Sequence, residues 1–82
     1  MKLDLYMFPA CPYCQRVIRY LESAGREDII FHDILENEED RQTLIRVGGM
    51  DQVPCLFIDG KPMYESADIV QWLKENPPAE GK

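Results

Sequence analysis

With 82 residues and 45% hydrophobic content, the chain has apolar side chains for one small core, so a single domain over 1–82 is expected. A formal charge of -6 and a pI near 4.6 leave no basic stripe to neutralise phosphates, which argues against nucleic-acid and anionic-membrane partners. Three cysteines do not pair off as a secreted disulfide framework does, and Asp4 breaks the opening apolar run too early for a signal-peptide core. No stretch approaches membrane-spanning length, so the expected setting is a reducing cytoplasm.

Strand and helix patterns alternate along the chain. Leu3 to Phe8 is β-prone, and the Pro9-Ala10 break ends it. A helix is predicted from about Pro12, where Val17, Ile18 and Leu21 recur at helical spacing between Arg16, Arg19 and Glu22, with Gly25 as the stop. Ile29 to Ile34 reads as the second strand. Asn37 then caps a helix with Glu38, Glu39 and Asp40 in its first turn, Leu44, Ile45 and Val47 near its end, and Gly48-Gly49 beyond. Pro54 opens a third strand, Cys55 to Ile58, and Asp59-Gly60 turns it into a short edge strand around Met63 and Tyr64. Ser66 starts the last helix, whose buried stripe is Ile69, Val70 and Leu73; Pro77-Pro78 ends it, and a frayed tail is expected from about residue 77. The order βαβαββα predicts an α/β fold with a four-stranded mixed sheet and three flanking helices, the first βαβ unit parallel and right-handed.

The chemistry concentrates in Cys11-Pro12-Tyr13-Cys14, between the first strand and the first helix. With Cys11 as helix cap and Pro12 in the first turn, the Cys11 sulfur meets unpaired backbone donors and the positive end of the helix dipole. That setting favours a thiolate, the species that attacks disulfides, and makes Cys11 the expected nucleophile. Cys14, one turn on, is placed to resolve a mixed disulfide. A zinc site would have to recruit Cys55 and His32, which form no second paired motif, so no metal is expected.

A cysteine at a strand-to-helix turn, a Val53-Pro54 step before a later strand and this element order resemble the thioredoxin fold. Cys-Pro-Tyr-Cys resembles the tetrad of the dithiol glutaredoxins. The resemblance covers nearly the whole chain and implies glutathione as co-substrate, no tightly bound cofactor, glutathionylated or disulfide-bonded proteins as partners, and a monomer. Gln52-Val53-Pro54, then Glu65-Ser66 followed by Ala67-Asp68-Ile69-Val70, is similar to glutathione-transferase-related glutaredoxins and transferase N-terminal domains. Those proteins continue into a helical domain; this chain stops before one, so no transferase activity is expected. Against the small-glutaredoxin pattern, Phe8 replaces a lysine, Gln52 a threonine, and Tyr64-Glu65 a pair of glycines.

The resemblance further implies that Pro54 is cis and that Val53 offers backbone groups to bound glutathione, with Tyr13 in contact. It places the γ-glutamyl carboxylate at Ser66 and the Ala67 amide, and the ammonium near Glu65. Read without it, Ser66 is a helix cap, Pro54 an ordinary trans proline and Tyr13 an exposed turn aromatic. Arg16 and Arg19 read as a solvated helix face, His32 as a partly exposed strand residue and Trp72 as packing. Cys55 reads as a small buried hydrophobe on a segment expected to approach Cys11. Two rival functions stay open: a thioredoxin-like reductant served by a flavoprotein reductase, and a non-catalytic module that binds glutathione or an iron-sulfur cluster.

Overall fold

The computed structural model describes residues 2–77. Its elements are β1 (Leu3–Met7), α1 (Pro12–Ala24), β2 (Ile29–Asp33), α2 (Glu38–Thr43) continuing as a π-helical turn over Leu44–Gly48, β3 (Cys55–Ile58), β4 (Lys61–Tyr64) and α3 (Ser66–Glu75). The sheet runs β2-β1-β3-β4, with β1 parallel to β2 and antiparallel to β3, and β4 antiparallel on the outer side of β3. This is the expected order and topology. The expected fraying from about residue 77 falls mostly on residues 78–82, which lie outside the described residues.

Side chains alternate across the strands and build a core on each face of the sheet. Leu3, Leu5 and Met7 of β1 and Leu56 of β3 pack with Val17 and Leu21 of α1 and Ile69 and Leu73 of α3. Tyr6, Cys55 and Phe57 point to the opposite face, where Ile34 and Leu44 cover them. Trp72 is partly buried against the first of these cores, as its packing role requires.

β1 and β2 each end one residue earlier than their apolar runs, at Met7 and Asp33. The Asp33 carboxylate accepts from the Leu35 and Glu36 amides at 2.9 and 3.3 Å, a local turn that peels the chain from β2, and the Ile34 amide reaches the Met7 carbonyl at 3.0 Å. Phe8 leaves β1 because its carbonyl accepts from the Cys11 amide, closing the turn before α1. Gly25, at φ 66, takes the left-handed position that ends α1; its amide bonds the Glu22 carbonyl and the Arg26 amide the Leu21 carbonyl. Asp59 and Gly60, at φ 51 and 89, form the tight hairpin turn.

Asn37 caps α2 as expected, accepting from the Glu39 and Asp40 amides. The helix is shorter than the apolar spacing suggests: after Thr43, whose hydroxyl donates to the Glu39 carbonyl, it widens into the π turn, and only Leu44 is buried while Ile45 and Val47 face outward. At the far end of α3, Arg26 donates to the Leu73 and Asn76 carbonyls while its guanidinium pairs with Asp28. The helix therefore stops at Glu75, and Asn76 leaves the helical conformation, at φ -129 and ψ 75, ahead of Pro77.

Candidate active site

Cys11 sits at the N-cap of α1, at φ -75 and ψ 123, with Pro12 in the first turn and no side-chain capping bond. Its amide bonds the Phe8 carbonyl at 3.2 Å and its carbonyl accepts from the Gln15 amide at 2.9 Å. The Gln15 side chain donates back to the Pro9 carbonyl, so one residue of α1 holds the turn that presents Cys11. The thiol is less open than a helix-cap position suggests: Cys11 retains 9% of its surface and joins the core beside Met7. Cys14 is wholly buried. Burial pushes the Cys14 thiol up to about 12; a Phe8 backbone contact opposes the shift, and the adjacent Cys11 sulfur adds to it. All three cysteines are free thiols.

A cleft of about 280 Å³ opens beside this turn, lined by Tyr13, Gln52, Val53, Pro54, Glu65 and Ser66. The Val53-Pro54 peptide bond is cis. The structure thus gathers five of the predicted glutathione contacts around one cavity, while Ala67 is exposed in the first turn of α3 and stands outside the lining. Gln52 was not among the predicted contacts; its place directly before Val53 was the available signal.

Ser66 does not cap α3. Glu65 occupies the N-cap at φ 75, makes no side-chain capping bond, and passes its carbonyl to the Ile69 amide at 3.0 Å. Ser66 is the first helical residue, 6% exposed, so its backbone N–H is among the donors that a helix start leaves without an intrahelical acceptor. A positive φ at Glu65 explains why glycine serves this position in the small-glutaredoxin pattern.

The segment carrying Val53 is tied down from outside the cleft. Arg41 of α2 grips the Asp51 carboxylate with two bonds, at 2.5 and 3.4 Å, which raises the guanidinium pKa and holds the carboxylate below its usual range. The Tyr64 hydroxyl donates to the Met50 carbonyl at 3.3 Å. Arg16 and Arg19 are exposed on α1, in keeping with a solvated face.

Val53 and Pro54 bring this segment to the cleft beside Tyr13, while Cys55 itself is buried as expected. Its side chain lies in the core on the opposite face of the sheet, and burial pushes its thiol up to about 11, with the Tyr64 hydroxyl and Met63 backbone pulling the other way. His32 shares that opposite face: it stacks on Tyr6 with ring centroids 4.4 Å apart and meets the Asp4 carboxylate at 2.9 Å. Among the described residues, no three His, Cys, Asp or Glu side chains stand together as a metal site.

A strand-turn-helix cysteine pair beside a cis-proline cleft and a helix N-terminus places the chain in the thioredoxin-like fold. A glutaredoxin family model matches residues 3–63, and the chain belongs to the glutaredoxin family. Glutaredoxin-3 of Homo sapiens is 38% identical over 66 residues, which is 80% of this chain and 19% of that protein. The chain therefore spans about a fifth of the length of this relative. Among solved structures, the holo form of glutaredoxin C1 from Populus tremula x tremuloides is similar with a TM-score of 0.68 at 25% identity, covering 90% of this chain and 75% of that one. Glutathione transferase Omega 3C from Trametes versicolor is similar with a TM-score of 0.74 at 27% identity, covering 92% of this chain and 33% of that one.

Proposed function

We propose that the protein is a glutathione-dependent thiol-disulfide oxidoreductase that reduces glutathionylated and disulfide-bonded proteins in a reducing cytoplasm, without a tightly bound cofactor. The observation that carries this reading is the Cys11 cap beside the cleft of Val53, Pro54, Glu65 and Ser66, with Cys14 fully buried behind it. In the cleft, the cysteinyl backbone of glutathione pairs with Val53 in strand fashion, its ammonium lies near Glu65, and its γ-glutamyl carboxylate takes the free amides at the start of α3.

The Cys11 thiolate attacks the glutathionyl sulfur of a mixed disulfide, forming an enzyme-glutathione disulfide and releasing the protein thiolate, which takes up a proton. A second glutathione thiolate then attacks the glutathionyl sulfur, giving glutathione disulfide and regenerating Cys11. With a protein disulfide, Cys11 first forms a mixed disulfide with the substrate; the Cys14 sulfur then attacks Cys11, releasing the substrate thiol and closing the Cys11-Cys14 bond, and two glutathione molecules restore both thiols and leave as glutathione disulfide. The high pKa of Cys14 keeps it a protonated bystander until its proton is removed during that displacement.

Reduction of a glutathionylated peptide, coupled to glutathione reductase and NADPH, tests the reading. Turnover that rises with glutathione and saturates supports it. Turnover sustained by a thioredoxin reductase but not by glutathione would transfer the protein to the thioredoxin-like alternative.

A further inference from the structure

We propose that the cleft prefers γ-glutamyl thiols whose C-terminal carboxylate is masked as an amide over free-acid glutathione. The inference rests on the glutathione-site reading above and names the substrate class more narrowly. Of the lining residues Tyr13, Gln52, Val53, Pro54, Glu65 and Ser66, only Glu65 carries a charge, and it is negative. Glutathione brings one ammonium and two carboxylates. Glu65 and the α3 amides answer the γ-glutamyl end, which leaves the glycyl carboxylate to be matched.

Strand-like antiparallel pairing with Val53 directs the glycyl end back toward Gln52 and Asp51. The cation bonded to this segment is Arg41, which is already paired with the Asp51 carboxylate through two bonds. Arg26 is committed to Asp28 and two carbonyls, and Arg46 lies among Glu38 and Glu39 on the outer side of α2. A carboxylate arriving beside Gln52 therefore meets a neutral amide and a net-neutral Arg41–Asp51 pair, in a protein of net charge -6. A primary amide arriving there loses nothing to repulsion, and it pairs with both the donor and the acceptor of the Gln52 side chain, whereas a carboxylate uses the donor alone.

The test measures the oxidation rate of the reduced protein by the disulfide of glutathione and by the disulfide of its glycine amide. In either reaction the Cys11 thiolate displaces one small thiol and Cys14 the second, so one disulfide becomes two thiols as the protein pair becomes a disulfide. Each rate is divided by the rate of the same disulfide with dithiothreitol, which removes intrinsic reactivity. The amide is expected to be faster by about fivefold at low ionic strength, with the ratio contracting as salt is added. Gln52→Lys should erase or reverse the ratio, while Glu22→Gln, the same charge change on the exposed face of α1, should leave it in place. Equal rates, or a faster free acid, overturn the inference and leave the glutathione reading standing. A Glu22→Gln effect as large as that of Gln52→Lys also overturns it, by assigning the preference to overall charge. If neither disulfide outpaces cystine, the glutathione reading fails along with the inference.

Discussion

Cys55 and Leu56, neighbours on β3, face opposite sides of the sheet: Leu56 packs with the core that holds Cys11 and Cys14, and Cys55 with Tyr6, Leu44 and Phe57. The sheet itself separates Cys55 from the active pair. Mild oxidation should give a Cys11-Cys14 disulfide and no Cys11-Cys55 species, because bridging the faces would require β3 to leave the sheet. Peptide mapping after brief treatment with a disulfide oxidant checks this. Alkylation of the reduced protein at neutral pH should reach Cys55 last, and rapid labelling there would contradict its burial.

The 9% exposure of Cys11 against complete burial of Cys14 predicts unequal roles for the two thiols. Cys11→Ser should abolish all turnover. Cys14→Ser should keep deglutathionylation of a peptide and lose reduction of an intramolecular disulfide, since only the second reaction needs a resolving thiol. Equal loss in both variants on the glutathionylated peptide would reverse the assignment.

Stability should fall in alkali for a reason traceable to the same buried thiols. Burial raises Cys14 to about 12 and Cys55 to about 11, from an ordinary value of 9.0. The native state thus favours the protonated thiol, and this stabilisation is complete below the ordinary value. It is lost as pH rises above 9.0, through about 11 for Cys55 and about 12 for Cys14, because the unfolded chain releases its protons first. Urea midpoints measured from pH 8 to 11 should decline, with a shallower decline in Cys55→Ala even though its small cavity lowers stability at neutral pH. Parallel declines in the two proteins would remove Cys55 as a cause.

Much of the fold was legible because local signals agreed with one another. The Asp59-Gly60 turn, the Gly25 stop and the Asn37 cap each specify their backbone through a residue type, and the structure has each in place. The site was legible where a motif carried it: Tyr13, Val53, Pro54, Glu65 and Ser66 meet at one cleft although Tyr13 and Ser66 are far apart in the chain. What sequence missed depended on contacts between elements. The π turn after Thr43 reflects packing around Leu44 and Gly48, where a Cβ would run into the Tyr64 hydroxyl. The face occupied by Cys55 depends on strand register against Tyr6 and Tyr64, which the residues flanking a proline do not encode. The exchange of roles between Ser66 and Glu65 is a one-residue shift of helix start, below what a capping preference resolves.

That shift carries the last prediction. Glu65 holds φ 75 without the freedom of glycine, a conformation that costs a side-chain-bearing residue about 1–3 kcal/mol. Glu65→Gly removes this cost, offset by roughly 0.5–1 kcal/mol of added chain entropy in the unfolded state, so the variant should be as stable as the parent or up to about 2.5 kcal/mol more stable. Glutathione binding should weaken, because the exposed carboxylate near the ligand ammonium is lost; an exposed ion pair corresponds to about a two- to fivefold rise in KM for glutathione. Ser66→Ala, which removes a buried hydroxyl that makes no capping bond, should change stability by no more than about 1 kcal/mol. Denaturant melts of both variants, paired with glutathione titrations in the coupled assay, separate the effects. A Glu65→Gly protein that binds glutathione as tightly as the parent would detach Glu65 from the ligand and leave it a backbone role alone.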